Sequence, residues 1–330
     1  MASSGSGPAI IARGLSREFR VVTGTPSLLR RRQRRTIHAL EGLDLEVTRG
    51  ERIAYIGPNG AGKSTSIRIL TGILHPTSGE AEVLGHVPWR ERRALSHRIG
   101  TIFGQRSMLV DDLPANSTFE LHGRIYGVDP AQLRSRRDHL LELFDAAELA
   151  DQQPRAMSLG QRMRCELVAA LLHEPGILFL DEPTIGLDLI AKRTLRDLVV
   201  RLNDEYGTTV LLTSHDVADI ETVAERVVII DHGRGIFDGT VEQLRRDFLR
   251  SKLLDVHFLD EQDPPVQVEG CELLVATRTR VSVSVDLAVR RLGDVLDELV
   301  ASRSVDDMTV GDPPLEDVIG HIYQQGRPAS

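Results

Sequence analysis

The stretch Gly57-Pro58-Asn59-Gly60-Ala61-Gly62-Lys63-Ser64 decides the fold of this 330-residue chain. It fits G-x-x-x-x-G-K-[ST], the pattern of a glycine-rich loop that binds phosphate. Residues 51–56 before the loop predict a buried strand, and residues 64–70 after it predict a helix. Loop N–H groups and the positive end of that helix would face a bound phosphate. We therefore expect Lys63 to reach the β- and γ-phosphates of a nucleotide and the Ser64 hydroxyl to bind Mg²⁺.

Composition narrows the class of protein. The 41% hydrophobic content supports a sizeable core, and the length predicts one large domain with a smaller one. The net charge is −8, and residues 251–330 alone hold 15 acidic and 7 basic side chains. The remainder of the chain is therefore balanced, and aromatic residues make up only 4%. Both features argue against a general nucleic-acid surface.

Cysteine usage and hydropathy bear on the compartment. Cys165 and Cys271 lie far apart and in no metal-binding spacing, which indicates reduced, structural thiols in a reducing compartment. No apolar run approaches the ~18 residues that a membrane helix needs. Residues 1–8 are typical of a flexible leader and lack a signal-peptide core. We expect a cytosolic protein, and any membrane contact would be through a partner.

The pattern along the chain predicts alternating strands and helices. Predicted strands lie at residues 9–12, 19–22, 43–47, 79–84, 99–103, 177–180, 209–213 and 227–230. Predicted helices lie at residues 115–150, with a break near 129–130, at 161–173 and at 191–205. Beyond about residue 250, a strand at 281–285 and helical spacing at 292–299 predict a small α+β appendage. Asp312 and Pro313 predict the start of a final helix.

Chemically useful side chains follow the phosphate loop in a fixed order. Gln105 ends a strand, residues 158–161 open a helix, Asp181 and Glu182 close an apolar strand, and His215 follows the next strand. Ligands bind at the carboxyl ends of parallel strands. Asp181 could hold Mg²⁺ through water, Glu182 could polarise an attacking water, and His215 could orient that water or contact the γ-phosphate. Gln105 could complete the shell of the metal and the water. Each residue alone has a structural explanation, but together they predict attack of water on a γ-phosphate.

On these residues the chain resembles the ATP-binding subunit of an ABC transporter. Residues 57–64 match Walker A, Ile177–Glu182 match Walker B, and Gln105, residues 186–188 and His215 match the Q-, D- and H-loops. Residues 157–161 stand where the signature LSGGQ is found, with Leu159 in place of its first glycine. The segments 103–105, 112–114, 158–164 and 181–188 resemble ABC-2-type exporter ATPases, in which that leucine is an accepted variant. The resemblance covers about residues 9–244.

The resemblance implies a fold, ligands and residue roles. The fold is α/β, a P-loop NTPase core of ABC ATPase type with a helical subdomain at about 106–173 and an antiparallel β subdomain. Residues 9–249 would form this ATPase domain, and residues 250–330 a small α+β C-terminal domain with an accessory or regulatory role. The ligands would be ATP and Mg²⁺. Nucleotide contacts would be Phe19, stacking on adenine, with Gly57, Pro58, Asn59, Gly60, Ala61, Gly62, Lys63, Ser64, Thr65, Ser158, Gly160, Gln161 and Asp188. The metal would contact Ser64, Gln105 and Asp181, and the catalytic residues would be Glu182, His215 and Gln105.

The implied function is that of a transport motor. ATP would close a homodimer with two nucleotides between the copies, and hydrolysis would reopen it. The partner would be a separate transmembrane permease subunit, with no nucleic acid, at the cytoplasmic face of the cell membrane. A soluble ABC ATPase acting on ribosomes or chromosomes is the alternative, disfavoured by the single cassette and the absence of long heptads. A regulator without turnover is disfavoured by Asp181, Glu182 and His215. The transported substrate is not encoded in this pattern.

Two segments of the sequence each allow two interpretations. The arginine-rich residues 30–35 are either a solvated loop or a contact with anionic lipid headgroups or a membrane partner. Met108, Leu109, Val110 and Leu113 form an apolar cluster at the segment where the resembling family docks its membrane subunit. The same cluster could equally belong to the core.

Overall fold

The structure, a computed structural model, describes residues 7–23, 33–104, 107–248, 251–262, 267–301, 304–313, 315, 319 and 322. The chain divides into two compact units, Met1–Gly239 and Thr240–Ser330. This division lies ten residues before the domain boundary predicted at 249/250, which stays a prediction. Within the described residues, no helix combines the length and the apolar character needed to cross a membrane.

The first unit alternates strands and helices. Its strands are β1 (Pro8–Thr23), β2 (Gln33–Thr48), β3 (Arg52–Ile56), β4 (Ser78–Val83), β5 (Ile99–Phe103), β6 (Ile177–Asp181), β7 (Thr209–Thr213), β8 (Arg226–Asp231) and β9 (Arg234–Thr240). Its helices are α1 (Lys63–Leu70), α2 (Arg92–Ser96), α3 (Ala115–Tyr126), α4 (Pro130–Leu143), α5 (Leu159–Leu171), α6 (Leu189–Tyr206) and α7 (Val217–Val223). The predicted α/β fold is confirmed.

A six-stranded sheet with the order β5-β6-β7-β3-β8-β9 forms the centre of this unit. Strands β5, β6, β7, β3 and β8 pair in parallel. Every residue of β7, and all of β6 except Asp181, is buried, as expected of parallel strands covered on both faces. Their carboxyl ends meet at one edge of the sheet, where Asp181 pairs with Thr213.

A three-stranded antiparallel sheet, β2-β1-β4, forms the second layer. Two separate strands were expected at 9–12 and 19–22, but β1 runs through both segments. Register shifts between Ala12 and Glu18 keep it paired with β2 across the intervening polar residues, as β-bulges do. Pro8, assigned to the leader, is the first residue of β1. Gln33 to Arg35, at the end of the arginine-rich run, belong to β2, and residues 30–32 lie outside the described residues.

Helices α3, α4 and α5 form the helical part. The predicted break near residues 129–130 separates α3 from α4, because the Asp129 side chain caps α4 by accepting from Ala131 and Gln132 N–H, and Pro130 suits the first helical position. Leu109 is 5% exposed and packs in the core that these helices share with α5 and β6. Val110 and Leu113 are 40% and 48% exposed. The apolar cluster is therefore divided, with Leu109 in the core and two residues on the surface.

The second unit is a small α+β structure. It contains α8 (Val241–Phe248), β10 (Ser251–Phe258), β11 (Glu272–Ala276), β12 (Arg280–Asp286), α9 (Leu292–Ala301) and β13 (Val305–Gly311). The antiparallel sheet has the order β11-β12-β10-β13. Its core joins alternate residues of β10 and β12 to Val295 and Leu299 of α9. Residues 315, 319 and 322 are helical, but most of the predicted final helix lies outside the described residues.

Candidate functional site

The phosphate loop follows β3 and is held tightly by its neighbours. A Cβ on Gly57 would lie 2.3 Å from the Ile230 carbonyl oxygen, and one on Gly62 would lie 2.5 Å from the Ala39 carbonyl oxygen. Gly62, with φ +109°, is also the left-handed residue preceding α1, a conformation that favours glycine. Close backbone approach therefore requires the two glycines of the sequence pattern, and the loop leads directly into the start of α1, the end of a helix that favours anions.

Lys63 is the buried cation of this loop, 6% exposed. Its Nζ donates to the carbonyl oxygens of Gly57 and Pro58. Burial lowers the pKa of Lys63 below its ordinary value, while the negative charges of Glu182 and Asp181 act in the opposite direction. These carboxylates therefore favour a charged lysine at the point where phosphate would lie.

A hydroxyl and a carboxylate face each other beside the loop. Ser64 Oγ lies 3.3 Å from Asp181 Oδ2, and the Thr213 hydroxyl donates to Asp181 Oδ1 at 2.7 Å. Thr213 thereby fixes the Asp181 carboxylate while its second oxygen faces Ser64. Hydroxyl and carboxylate oxygens are the donors that Mg²⁺ prefers, so this pair fits the predicted metal.

Glu182 follows Asp181 in a strained conformation. Its φ is +54°, a left-handed value that is uncommon for a residue with a side chain and that concentrates at functional sites. The Glu182 N–H donates to Thr213 O and is within 3.0 Å of Thr213 Oγ1. Its Oε1 lies 2.7 Å from His215 Nε2. The strained turn thus brings Glu182 and His215 together next to Asp181 and Lys63.

A cleft of about 540 Å³ opens at this edge, and its lining includes Phe19, Ser64, Asp181 and Glu182. Phe19 reaches it from β1, and the Arg17 guanidinium stacks over the Phe19 ring at 4.8 Å from the ring centre. An aromatic ring in this position can stack on a base. The structure therefore brings the predicted adenine contact to the same cleft as Ser64 and Asp181, two of the predicted metal residues.

The predicted signature and D-loop residues lie elsewhere. A separate pocket of about 400 Å³ includes Ser158, Gly160, Gln161 and Asp188 in its lining. Ser158 and Gln161 form a reciprocal capping box at the start of α5, and the Asp188 side chain caps α6 by accepting from Ala191 N–H. A Cβ on Gly160 would lie 2.8 Å from Ala191 Cβ, so this glycine lets the two helix starts approach. Among the described residues, the two pockets have no lining residue in common.

The remaining predicted residues have simple placements. Pro58 is half-buried, Asn59 and Gly60 are exposed in the loop, and Ala61 is buried. Thr65 is half-buried in the first turn of α1. Gln105 lies outside the described residues, so its predicted roles stay predictions.

Three polar residues around the site were not anticipated. Thr213 forms hydrogen bonds with both Asp181 and Glu182, because the register of β6 and β7 places it opposite Asp181. Glu166 of α5, 4% exposed, accepts from the Ser107 hydroxyl and from Met108 N–H. Asp219, fully buried, accepts from three side chains next to the site. The sequence signal for the latter two is weak, because each is a single acidic residue inside a helix.

Comparisons with known proteins agree with this geometry. A family profile described as ABC transporter matches residues 40–185. The daunorubicin resistance ATP-binding protein DrrA3 of Streptomyces coeruleorubidus is 42% identical over 209 residues, which are 63% of this chain and 66% of that protein. The energy-coupling factor transporter ATP-binding protein EcfA of Methanoculleus marisnigri is 36% identical over 257 residues, 76% of this chain and 88% of that protein. The chain thus spans just under two thirds of the length of the first relative.

The fold also matches solved structures. The structure of cbiO1 from Clostridium perfringens, described as part of the ABC transporter complex cbiONQ, superposes with a TM-score of 0.61 at 25% identity. The superposition covers 73% of this chain and 94% of that one.

Proposed function

The chain belongs to the ABC transporter family of ATP-binding ATPases, and we propose that it is the motor subunit of an exporter whose membrane-spanning subunit is a separate chain. One observation carries the proposal. One edge of the parallel sheet brings together a lysine, a hydroxyl, a carboxylate and a glutamate–histidine pair: Lys63, Ser64, Asp181 and Glu182–His215. This is the set of groups that water attack on a γ-phosphate requires.

In the proposed reaction, a water oxygen forms a bond to the γ-phosphorus of ATP. The bond between that phosphorus and the bridging oxygen breaks, and ADP leaves with the electron pair. Glu182 accepts the proton of the water, and His215, 2.7 Å from Glu182 Oε1, orients the carboxylate. Lys63 stabilises the negative charge on the phosphate oxygens, since positioning and electrostatics dominate phosphoryl transfer.

Mg²⁺ would be held by Ser64 Oγ and by Asp181, directly or through water. When bound, it would neutralise charge on the β- and γ-phosphates. The Thr213 hydroxyl keeps the Asp181 carboxylate in place for this role.

The separation of the two pockets supports a site shared between two copies. The start of α5 is an anion-binding end of a helix, yet none of the described residues lines both its pocket and the nucleotide cleft. We propose that Ser158, Gly160 and Gln161 contact the γ-phosphate held by the cleft of a second copy. Leu189 and Ile190, each 78% exposed at the start of α6, would be covered in this head-to-tail homodimer. Association would then depend on ATP, and release on its hydrolysis.

Export and location rest on relatives. The drug-resistance protein DrrA3 is similar over the cassette, which supports export of a small molecule by this chain and its membrane subunit. The chain would then act as a peripheral protein at the cytoplasmic face of the cell membrane, where its membrane subunit is located.

Glu182→Gln tests the hydrolytic and dimer proposals together. The substitution keeps the size of the side chain but removes the proton acceptor, so we expect ATP binding to be retained and hydrolysis to fall by about 10²–10⁴-fold. The variant should accumulate as a dimer with ATP and Mg²⁺ and stay monomeric with ADP. Light scattering coupled to size exclusion measures the mass under each condition.

Ser158→Ala and Leu189→Asp are the matching dimer variants. In the Glu182→Gln background each should reduce the dimer fraction at saturating ATP, because the second copy loses an anion contact or gains a charge at the interface. A dimer fraction unchanged by both would refute the proposed interface. A wild-type chain that binds ATP but lacks turnover would instead favour the regulator considered above.

A further inference from the structure

A buried carboxylate lies behind the Glu182–His215 pair. Asp219 of α7 has no exposed surface. Its Oδ2 accepts from the Thr184 hydroxyl and from the Ser214 hydroxyl, each at 2.5 Å, and its Oδ1 accepts from Arg196 Nε at 2.5 Å. All three donors are themselves buried, between 3% and 7% exposed. A buried charge with this many donors is fully satisfied and rigidly held.

The three donors belong to three different segments of the site. Thr184 is two residues after Glu182, and Ser214 immediately precedes His215. Arg196 lies on α6, the helix whose first turn is capped by Asp188. One carboxylate therefore joins the Walker B turn, the H-loop and the helix of the D-loop.

A second ion pair reinforces this connection. Asp216, which follows His215, accepts from Lys192 Nζ at 2.7 Å and lies 3.2 Å from Arg196 Nη2. The Asp216 N–H donates to Ser214 Oγ at 2.9 Å. His215 thus stands between two residues that are both tied to α6, directly or through Asp219.

We propose that Asp219 is a positioning residue for ATP hydrolysis, which holds Glu182 and His215 at hydrogen-bond distance and ties their position to α6. The inference rests on the proposed function and extends it. Glu182 has a strained backbone, and such a conformation persists only where surrounding contacts enforce it. Thr213 bonds the Glu182 N–H directly, and Asp219 adds to this by holding Thr184 on one side and Ser214 on the other. Movement of α6 would therefore reach the catalytic pair through a rigid polar connection.

Thr184→Val tests the connection by replacing one hydroxyl group with a methyl group. It removes the hydroxyl that bonds Asp219 and keeps the shape of the side chain. We expect kcat for ATP hydrolysis to fall by about 10–100-fold, the order of loss that misplacement of reacting groups causes, with KM changed less than about twofold. Thr184→Ser, which retains the hydroxyl, should restore most of the rate. Ser214→Ala should reproduce the Thr184→Val effect.

Thr209→Val is the matched control. Thr209 is also buried, and its hydroxyl accepts from Gly50 N–H at the opposite end of β7 from Thr213. The control should lower the melting temperature by an amount similar to Thr184→Val and leave kcat within about twofold of wild type. A parallel loss of kcat in the control would show that activity follows stability and would overturn the positioning role.

A double-mutant cycle with His215→Ala separates positioning from general destabilisation. If Asp219 acts through the Glu182–His215 pair, adding Thr184→Val to His215→Ala should lower kcat by less than about twofold further. Multiplicative losses, or full activity of both Thr184→Val and Ser214→Ala, would overturn the inference. In either case, a wild type that hydrolyses ATP and a Glu182→Gln variant that does not would leave the proposed function standing. A wild type without ATPase activity would remove both.

Discussion

The two units of the chain differ in whether their described charged side chains are buried. In the first unit, Lys63, Arg196 and Asp219 are buried beside the carboxyl ends of parallel strands. In the second unit, the ion pairs Arg280–Asp255 and Lys252–Asp312 are at the surface of a sheet with an apolar core. Buried charges are costly unless they are paired, and surface pairs contribute little. The described charged groups that the proposed reaction uses therefore lie in the first unit.

The largest effect on ATP hydrolysis is expected when a lysine of the first unit is replaced, and a lysine of the second unit gives the comparison. Lys63→Ala should lower ATP hydrolysis by at least about 10²-fold, because the proposed reaction loses the buried cation that would bind the phosphate. Lys252→Ala removes an exposed ion pair with Asp312 and should leave the rate within about twofold. A phosphate-release assay on both variants checks this. Equal losses would break the comparison, since they would place the second unit in the reaction.

The second unit should also unfold on its own. Phe258 is 4% exposed in its core, so Phe258→Ala should lower the free energy of unfolding of that unit by about 3–5 kcal/mol. The only tryptophan, Trp89, packs in the first unit and reports on that unit alone. Urea unfolding followed by tryptophan fluorescence should be unchanged, while the circular dichroism transition gains an earlier phase.

Coincident shifts in both signals would show one cooperative unit and contradict the division at Gly239/Thr240. A chain ending at Gly239 gives an independent check. It should bind ATP as the full chain does, because every proposed nucleotide contact precedes that residue.

The parts of the first unit that depend on local pattern could be predicted from the sequence. The strands 99–103 and 209–213 have the predicted bounds, because short apolar runs between polar residues define them. The course of β1 was wrong, since bulges that maintain pairing with β2 leave no clear sequence signal. Thr213 and Asp219 were missed because their contacts depend on which strands and helices become neighbours. In the second unit, β12 was anticipated from alternation, but β10, β11 and β13 were not.

A smaller effect is expected on the pH dependence of stability, where a buried carboxylate and a paired surface carboxylate should differ. Burial raises the pKa of Glu166 above its ordinary value, although hydrogen bonds from Ser107 and Met108 act against this. The folded state then binds the proton more tightly than the unfolded state, so Glu166 costs stability as the pH rises above its unfolded pKa. Glu166→Gln should therefore be more stable than wild type at pH 8, and the difference should shrink as the pH falls towards 4.5, the ordinary pKa of the group.

Asp255 in the second unit should give the opposite sign. Its hydrogen bond from Arg280 lowers the pKa of Asp255, so its contribution is present above the unfolded pKa and is lost as the pH falls through the folded pKa. Asp255→Asn should cost stability at pH 8 and progressively less below pH 4. Chemical unfolding at several pH values measures both variants. The same sign for both would contradict the assignment of burial to one carboxylate and pairing to the other.

The smallest expected effect on the isolated protein concerns the exposed part of the apolar cluster after β5. Leu113 is 48% exposed in the first unit, and Leu259 is 65% exposed in the second. Leu113→Asp and Leu259→Asp should each change the free energy of unfolding by no more than about 0.5 kcal/mol, since both are surface substitutions. ATP hydrolysis by the purified variants should stay within about twofold of wild type. Leu109→Asp is unsuitable for this comparison, because Leu109 is buried and a charge there would destabilise the fold.

The two surface variants should differ only in the cell. If residues 110–113 contact a membrane subunit, Leu113→Asp weakens that contact, because a charge replaces an apolar side chain that the partner would cover. Fractionation of the native host cells should then find the Leu113→Asp chain mainly in the soluble fraction. The Leu259→Asp chain should remain with the membranes, as the proposed function predicts for wild type. Equal retention of both variants would show that Leu113 is an ordinary exposed residue and does not contact a membrane subunit. Release of the Leu259 variant alone would move the docking surface to the second unit.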